Sequence, residues 1–198
     1  MEAVSDGYTD LPPGKLAAVV TYLEMRTPPT AGTSPTLSGV SIRRVEKPDL
    51  DWYRGLYRQI GEPWLWFSRL RMPDDELRTI VHHLEVDIFA LSHNGVDGGL
   101  LEFDRRRMPD IELSFFGVVP SLIGKGVGRI LLDHGLQTVW RHKPQRVWLH
   151  TSTLDHPRAL EFYRKAGFLP YKRGLEVSDD PRLTGELPRD AAPHIPLL

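Results

Sequence analysis

The clearest chemical signature in the sequence is a run of three glycines at alternate positions, Gly124, Gly126 and Gly128, accompanied by Lys125 and Arg129. The run lies where an apolar, strand-like stretch gives way to a helix-like one. Bare backbone at such a junction lets a ligand approach the main chain without meeting Cβ atoms. A helix N-terminus adds unpaired N–H groups and a partial positive charge. The pattern therefore predicts an anion site, most commonly for phosphate, with a glycine-rich turn that binds nothing as the alternative.

Two widespread phosphate loops can be tested against this run. The G-x-x-x-x-G-K-[ST] loop would need glycine at position 119 and a hydroxyl at position 126, where the chain has Val119 and Gly126. The dinucleotide fingerprint G-x-G-x-x-G would need glycine at position 129, where Arg129 stands. Both loops are excluded.

The remaining pattern is a strand, V-x-P, a short spacer and then the glycines before a helix. It resembles the pyrophosphate loop of the GCN5-related N-acetyltransferase (GNAT) superfamily, which reads [RQ]-x-x-G-x-[GA] after V-x-P. Gly126 and Gly128 match this loop, and Lys125 falls at a variable position. Ile123 replaces the usual Arg or Gln, which removes one side-chain contact and leaves the backbone contacts intact.

A second segment strengthens the resemblance. The later GNAT motif is similar to N-x-x-A-x-x-x-Y-x-x-x-G-F, and the chain matches it at Ala159, Tyr163, Gly167 and Phe168, with His156 in place of the Asn. The two motifs occur in the family's order, and the resemblance covers about residues 39–177.

The resemblance implies that acetyl-CoA is the cosubstrate. Its pyrophosphate would lie on the amides of residues 124–129, and its pantetheine arm would enter between the strand ending at Val119 and a strand at 146–152. The residues that the resemblance assigns to the coenzyme are Val118, Val119, Ile123, Gly124, Lys125, Gly126, Val127, Gly128, Arg129, His156, Ala159 and Tyr163. Backbone groups near residues 116–118 would bind the acyl carbonyl, and Gly117 fits either a β-bulge there or a close packing contact.

The resemblance also suggests catalytic roles. Tyr163 matches the family's general acid, and the alternative is an aromatic side chain on the apolar stripe of a helix. Glu112, at the start of the strand before the glycine loop, is the candidate general base through a water molecule, and the alternative is a solvated carboxylate. Glu102, on the neighbouring strand, is the next candidate for the general base. Glu102, Trp64 and Trp66 are also expected to border the acceptor.

The predicted function is transfer of an acetyl group from acetyl-CoA to a primary amine of a small molecule or peptide by direct attack. A non-catalytic acyl-CoA-binding module is the rival, favoured by the substitutions at Ile123 and His156. His156 could instead cap the helix that follows Pro157. The sequence does not identify the acceptor, and whether the chain forms a homodimer is left open.

Composition narrows the functional classes that remain. The formal net charge of −1 argues against general binding of nucleic acid or of a membrane surface, and the lack of cysteine excludes disulfides and thiolate metal sites. His82 and His83 are adjacent and lack metal-ligand spacing, so no metal is expected. The first residues do not resemble a signal peptide, and the expected compartment is the cytoplasm.

The 198 residues predict one mixed α/β domain with a mostly antiparallel sheet, splayed parallel strands and flanking helices. The predicted boundaries are a Pro-containing extension at 1–36, the acetyltransferase domain at 37–177 and a Pro-rich extension at 178–198. Residues 17–25 favour a strand, with a helix as the alternative. Strands are predicted at 39–45, 86–92, 99–103, 111–119, 146–152 and 168–177, and helices at 48–61, 73–84, 126–141 and 157–166.

Overall fold

A seven-stranded mixed sheet organises the protein in the computed structural model, which describes residues 6–29 and 37–198. The strands are β1 Lys15–Met25, β2 Val40–Arg44, β3 Val86–His93, β4 Val96–Asp104, β5 Asp110–Val118, β6 Arg146–Ser152 and β7 Leu169–Asp179. The α-helices are α1 Leu50–Gly61, α2 Ser68–Arg71, α3 Asp74–Val81, α4 Val127–Val139, α5 Ala159–Lys165 and α6 Pro181–Thr184. Short 3-10 turns lie at Glu62–Trp64, Pro120–Leu122 and Trp140–His142.

The strand order across the sheet is β2-β3-β4-β5-β6-β1-β7, and every neighbouring pair is antiparallel except β5 and β6. The predicted mixed fold is therefore confirmed. Helix α4 supplies the crossover that a parallel pair requires. Within the described residues, none of the helices combines the length and the apolar character that crossing a bilayer demands.

Apolar residues fill the space on both faces of the sheet. One cluster packs α1 and α3 against the sheet through side chains such as Tyr53, Ile60 and Leu77. A second packs α4 and α5 against the opposite face through side chains such as Leu131 and Tyr163. The sheet is therefore the middle of three layers, and a gap between two of its strands connects the two helical faces.

The helix starts differ from the prediction in detail. Helix α1 begins at Leu50 rather than at Pro48, because the Asp49 carboxylate accepts a hydrogen bond from the Trp52 backbone N–H at 2.9 Å and so caps the helix. The helix predicted at 73–84 ends earlier, at Val81, and Leu84 beyond it is 83% exposed. Helix α5 begins at Ala159 rather than at Pro157.

The first strand and the residues after β7 both pack into the domain. Residues 17–25 form a strand, as the strand alternative predicted, and β1 is inserted between β6 and β7. At the other end, the buried Arg182 guanidinium bonds the Asp180 carboxylate at 2.7 Å and the Ile195 carbonyl at 2.8 Å. The domain boundaries proposed from the sequence stay a prediction.

Two helical glycines allow the packing of the sheet to be tested. A Cβ added at Gly135 in α4 would lie 2.2 Å from Leu101 Cδ2 and 2.7 Å from Phe103 Cε2, both in the closed core. A Cβ at Gly55 in α1 would meet nothing within 4 Å. We expect Gly135→Ala to destabilise the fold by about 1–3 kcal/mol through overpacking. Gly55→Ala should stabilise it by about 0.5–1 kcal/mol.

Chemical denaturation of the two variants beside the parent chain measures both values. The opposite signs make each variant the control for the other. Equal unfolding free energies for Gly135→Ala and the parent would contradict the close approach of α4 to β4.

Candidate active site

A cleft of about 570 Å³ opens where β5 and β6 part. The two strands pair only from Asp110–Arg146 to Glu112–Trp148, although both continue for several residues. Ser114 is an extra residue in β5, because Glu102 pairs with Phe115 while Phe103 pairs with Leu113. Such a bulge bends its strand. Residues 113–118 of β5 and 150–152 of β6 therefore line the cleft instead of pairing with each other.

The glycine run closes one end of this cleft. Gly124 and Gly126 have φ values of +81° and +80°, a left-handed conformation that other residues rarely adopt. A Cβ at either position would meet nothing within 4 Å, so bare backbone faces open space. Gly126 is the N-cap of α4, and the N–H groups of Val127 and Gly128 in the first helical turn have no intrahelical acceptor. This end of the cleft therefore has the form of an anion cradle.

Basic side chains surround the same end. Arg129 donates from Nε to Asp133 Oδ1 at 2.7 Å and from Nη1 to the Lys165 carbonyl at 3.3 Å, which joins the start of α4 to the end of α5. Arg158 and Lys165 also line the cleft. Neither residue was predicted from sequence, although both lie at variable positions within the second motif.

Tyr163 lies on the wall of the cleft formed by α5. Its side chain is buried against Phe116 and Phe168, with ring centroids 6.1 Å away in both cases. Burial, with a smaller contribution from the Asp155 carboxylate, raises the pKa of the Tyr163 phenol well above its usual value. The hydroxyl therefore keeps its proton at any physiological pH and has the protonation state of a donor.

The two glutamates named from the sequence have different environments. Glu112 is half-buried at the last pair of β5 and β6, next to Leu113, which lines the cleft, but Glu112 itself does not line it. Burial raises the pKa of its carboxyl, while the nearby His150 opposes that shift. Glu102 is fully buried under α1 and α2 and does not line the cleft. Its carboxylate accepts hydrogen bonds from the Tyr53 hydroxyl and, at 2.5 Å, from Arg69 Nη2.

Aromatic residues and one carboxylate form the wall opposite the glycine loop. Trp64 and Trp66 line it, as the family resemblance suggested. The Trp66 indole N–H donates to Asp155 Oδ1 at 3.0 Å, while Asp155 Oδ2 accepts from Thr151 Oγ1 at 2.7 Å. Asp155 was not singled out from the sequence, because a single acidic residue in a loop carries no motif.

His156 also lines this region but does not cap α5. Arg158 occupies the N-cap position, and its backbone N–H donates to His156 Nδ1 at 3.1 Å in the turn before the helix. The His156 ring packs edge-to-face on Trp64 at 5.0 Å between centroids. Burial, together with the Arg158 charge, lowers the pKa of His156, so the ring is neutral at pH 7.

Gly117 serves close packing rather than the bulge. A Cβ there would lie 2.4 Å from Ile60 Cγ2 and 3.3 Å from Trp66 Cη2, whereas the register shift of β5 is at Ser114. The bulge that the sequence suggested at Gly117 is therefore three positions earlier. The glycine instead lets α1 and the Trp66 loop approach the open edge of β5.

The structure brings most of the predicted coenzyme residues to one cleft. Those that line it are Val118, Ile123, Gly124, Gly126, Gly128, Arg129, His156, Ala159 and Tyr163. Val119 and Lys125 lie beside the lining, and the Val127 side chain is buried in the core. In the part of the chain that the structure describes, no group of three or more His, Asp or Glu side chains could hold a metal ion.

Comparisons with known proteins agree on the fold. The model of the Acetyltransferase (GNAT) family matches residues 52–168, which is more than half of the chain. An aminoglycoside acetyltransferase from an uncultured soil metagenomic sample is similar in structure, with a TM-score of 0.54 and 19% identity over 65% of this chain and 87% of that one. An IAA acetyltransferase from Bacillus cereus gives a TM-score of 0.53 and 20% identity over 67% of this chain and 79% of that one.

A GCN5-related N-acetyltransferase from Kribbella flavida gives a TM-score of 0.54 and 15% identity, covering 87% of this chain and 63% of that one. No curated protein sequence matches significantly. Sequence identities this low support a shared fold alone. The family model, by contrast, covers both motifs, and residues of both motifs line the cleft. The chain belongs to the GNAT family of acetyltransferases.

Proposed function

We propose that the protein transfers an acetyl group from acetyl-CoA to a primary amine by direct attack within the cleft between β5 and β6. One observation carries the proposal: a single cleft joins the bare glycine backbone before α4 to the protonated, buried Tyr163. This arrangement suits acyl transfer, because a cradle for phosphate and a proton donor flank the same open strand edge.

The residues present fit the coenzyme. The left-handed Gly124 and Gly126 leave room for phosphate oxygens beside the backbone, and Arg158 and Lys165 add positive charge. Beyond Glu112, β5 has no partner strand on its β6 side among the described residues. Its backbone amides on that side are free to bind the pantetheine and to stabilise negative charge that develops on the acyl oxygen.

Two side chains handle the protons in this proposal. The amine nitrogen forms a bond to the thioester carbonyl carbon, and the carbon–sulfur bond breaks. Glu112 accepts the proton that the amine loses, through a water molecule, and Tyr163 donates its hydroxyl proton to the departing sulfur. A base matters because an amine with a pKa near ~10.4 pays roughly 4.6 kcal/mol to be neutral at pH 7.

The glycine loop can be tested without altering any side chain that does chemistry. We expect Gly126→Val to weaken acetyl-CoA binding at least about tenfold, because the new side chain would project into the open space over the loop. Isothermal titration of acetyl-CoA measures the effect.

Gly95→Val is the matched control. Gly95 has a φ of +81°, nothing lies within 4 Å of its added Cβ, and it is in the turn between β3 and β4. It therefore bears the same backbone strain without bordering the cleft. Equal affinities for Gly126→Val and Gly95→Val would contradict the assignment of the loop.

Tyr163→Phe tests the proton donor. Loss of the hydroxyl should lower kcat by about 100-fold, the low end of what general acid catalysis contributes. Acetyl-CoA affinity should stay within twofold or so, because the ring and its packing remain. Tyr171→Phe removes a hydroxyl from an exposed tyrosine outside the cleft and should leave kcat unchanged. An unchanged rate in Tyr163→Phe would remove this residue as the acid.

The raised pKa of Glu112 predicts a pH dependence. A base works only when deprotonated, so kcat/KM should fall as the pH drops through the pKa of Glu112, which burial places above the usual glutamate value. Glu112→Gln should lower the rate at pH 7 by about 100-fold and abolish this acidic limb. A pH–rate profile that keeps the same limb in Glu112→Gln would show that another group is the base.

A further inference from the structure

The two ends of the cleft differ in charge. Near the glycine loop, the lining contains the basic side chains Arg129 and Lys165, together with Glu161, which pairs with Lys165 at 3.2 Å. On the opposite side, two carboxylates line the cleft, Asp155 and Glu176. The lining residues that the structure describes in β1, β7 and the loop at 64–68 include no lysine or arginine, and Arg158 lines the cleft at the start of α5, beside His156. One end therefore attracts phosphates, and the other carries negative charge.

Glu176 belongs to the end away from the coenzyme. It pairs with Ala18 across β1 and β7, so the two side chains share one face of the sheet, together with Leu16 and Ser178. Leu16 packs against the apolar cluster that contains Leu65, which lies within the Trp64–Phe67 loop. The Glu176 carboxylate is thus on the sheet face that this aromatic loop covers.

The two carboxylates differ in what they can still bind. Both oxygens of Asp155 are taken, by the Trp66 indole N–H and by Thr151 Oγ1 and the Ser152 backbone N–H. Glu176 is exposed and has neither a hydrogen bond nor an ion pair with any residue that the structure describes. Lys172, on the same face of β7, stacks over the Tyr22 ring at 4.7 Å and does not line the cleft. Glu176 is therefore available to a ligand.

Aromatic rings supply the remaining surface of this end. Trp64, Trp66 and Phe67 line the cleft while half-buried, with Phe115 beside them. Because the Trp66 N–H is already bonded to Asp155, that ring presents only its apolar surface. The neutral His156 against Trp64 adds no cation. Such a wall favours an apolar body and, through the ring faces, an adjacent cation.

We propose that the acceptor is a cationic amine carried on an apolar body and lacking a carboxylate next to the amine. This assignment rests on the proposed function and narrows its acceptor. The ammonium group is attracted to Glu176 and the apolar body packs on the tryptophan wall, whereas the carboxylate of a free amino acid would be repelled by Glu176, which forms no ion pair with any residue that the structure describes.

Binding of three matched probes at pH 7 tests the proposal on the full chain saturated with free coenzyme A. The probes are 2-phenylethylamine, phenylalanine and phenylalaninamide, which differ only in the group next to the amine. We expect 2-phenylethylamine and phenylalaninamide to bind at least about tenfold more tightly than phenylalanine. Glucosamine, a polyhydroxylated amine, should bind more weakly than 2-phenylethylamine.

Two charge-reversal variants test whether Glu176 causes the preference for 2-phenylethylamine over phenylalanine. Glu176→Lys should remove the preference or reverse it in favour of phenylalanine, whereas Glu76→Lys, at an exposed position of α3 outside the cleft, should leave it unchanged. The proposal is overturned if phenylalanine or glucosamine binds as tightly as 2-phenylethylamine, if none of the probes binds, or if Glu176→Lys keeps the parent preference.

Measuring acetylation of the same probes distinguishes a failure of the acceptor assignment from a failure of the proposed function. Binding in the expected order with no acetylation of any probe from acetyl-CoA would overturn the acetyltransferase proposal and uphold the ligand assignment. Equal acetylation of phenylalanine and 2-phenylethylamine would overturn the acceptor assignment and uphold acetyl transfer.

Discussion

The early end of pairing between β5 and β6 is the constraint on which the rest of the molecule depends. The two strands are hydrogen-bonded over only three residue pairs, and the extra Ser114 turns β5 away from its partner. An opening in the middle of a sheet leaves backbone N–H and C=O groups unpaired, which is costly if the opening is filled with apolar side chains. A polar ligand that threads the gap satisfies those groups. The sheet tolerates the opening because β1 and β7 extend it beyond β6 and because helices cover both faces.

A buried ion pair holds the aromatic wall beside this opening. Arg69 in α2 bonds Glu102 of β4 at 2.5 Å, and the same carboxylate accepts from Tyr53 of α1. Breaking such a buried pair by removing one partner is strongly destabilising, because the remaining charge is left without compensation. The Arg69 guanidinium also lies over the Phe115 ring at 4.8 Å, and that ring lines the cleft. Glu102 thus affects the site through the position of α2 and its preceding loop, without bordering the cleft itself.

The parts of the protein that were predictable from sequence are those fixed by local rules. Gly126 was recognised because a bare strand-to-helix junction has a distinct spacing, and its left-handed φ of +80° agrees with that reasoning. Gly167, with a φ of +103° after α5, follows from the helix C-cap pattern in the same way. Glu176 could not be found, because only strand pairing across more than 150 residues of chain brings it opposite Ala18. The place of β1 inside the sheet has the same origin, since nothing local specifies its neighbours.

One physical cause, removal from water, acts on both groups that we propose to transfer protons, Tyr163 and Glu112. Burial disfavours the charged form of a carboxyl and of a phenol alike. For Tyr163 this keeps the phenol protonated, so that its hydroxyl can donate a hydrogen bond to the departing sulfur. For Glu112 the same effect raises the pKa and makes the carboxylate a better proton acceptor, while the nearby His150 opposes that rise. In the proposed acceptor site, the negative charge of Glu176 would favour the protonated form of an incoming amine, so the end of the cleft that we propose to attract the amine would also create the need for a base. On these proposals, the charge that recruits the acceptor is also the reason that the acceptor needs activation.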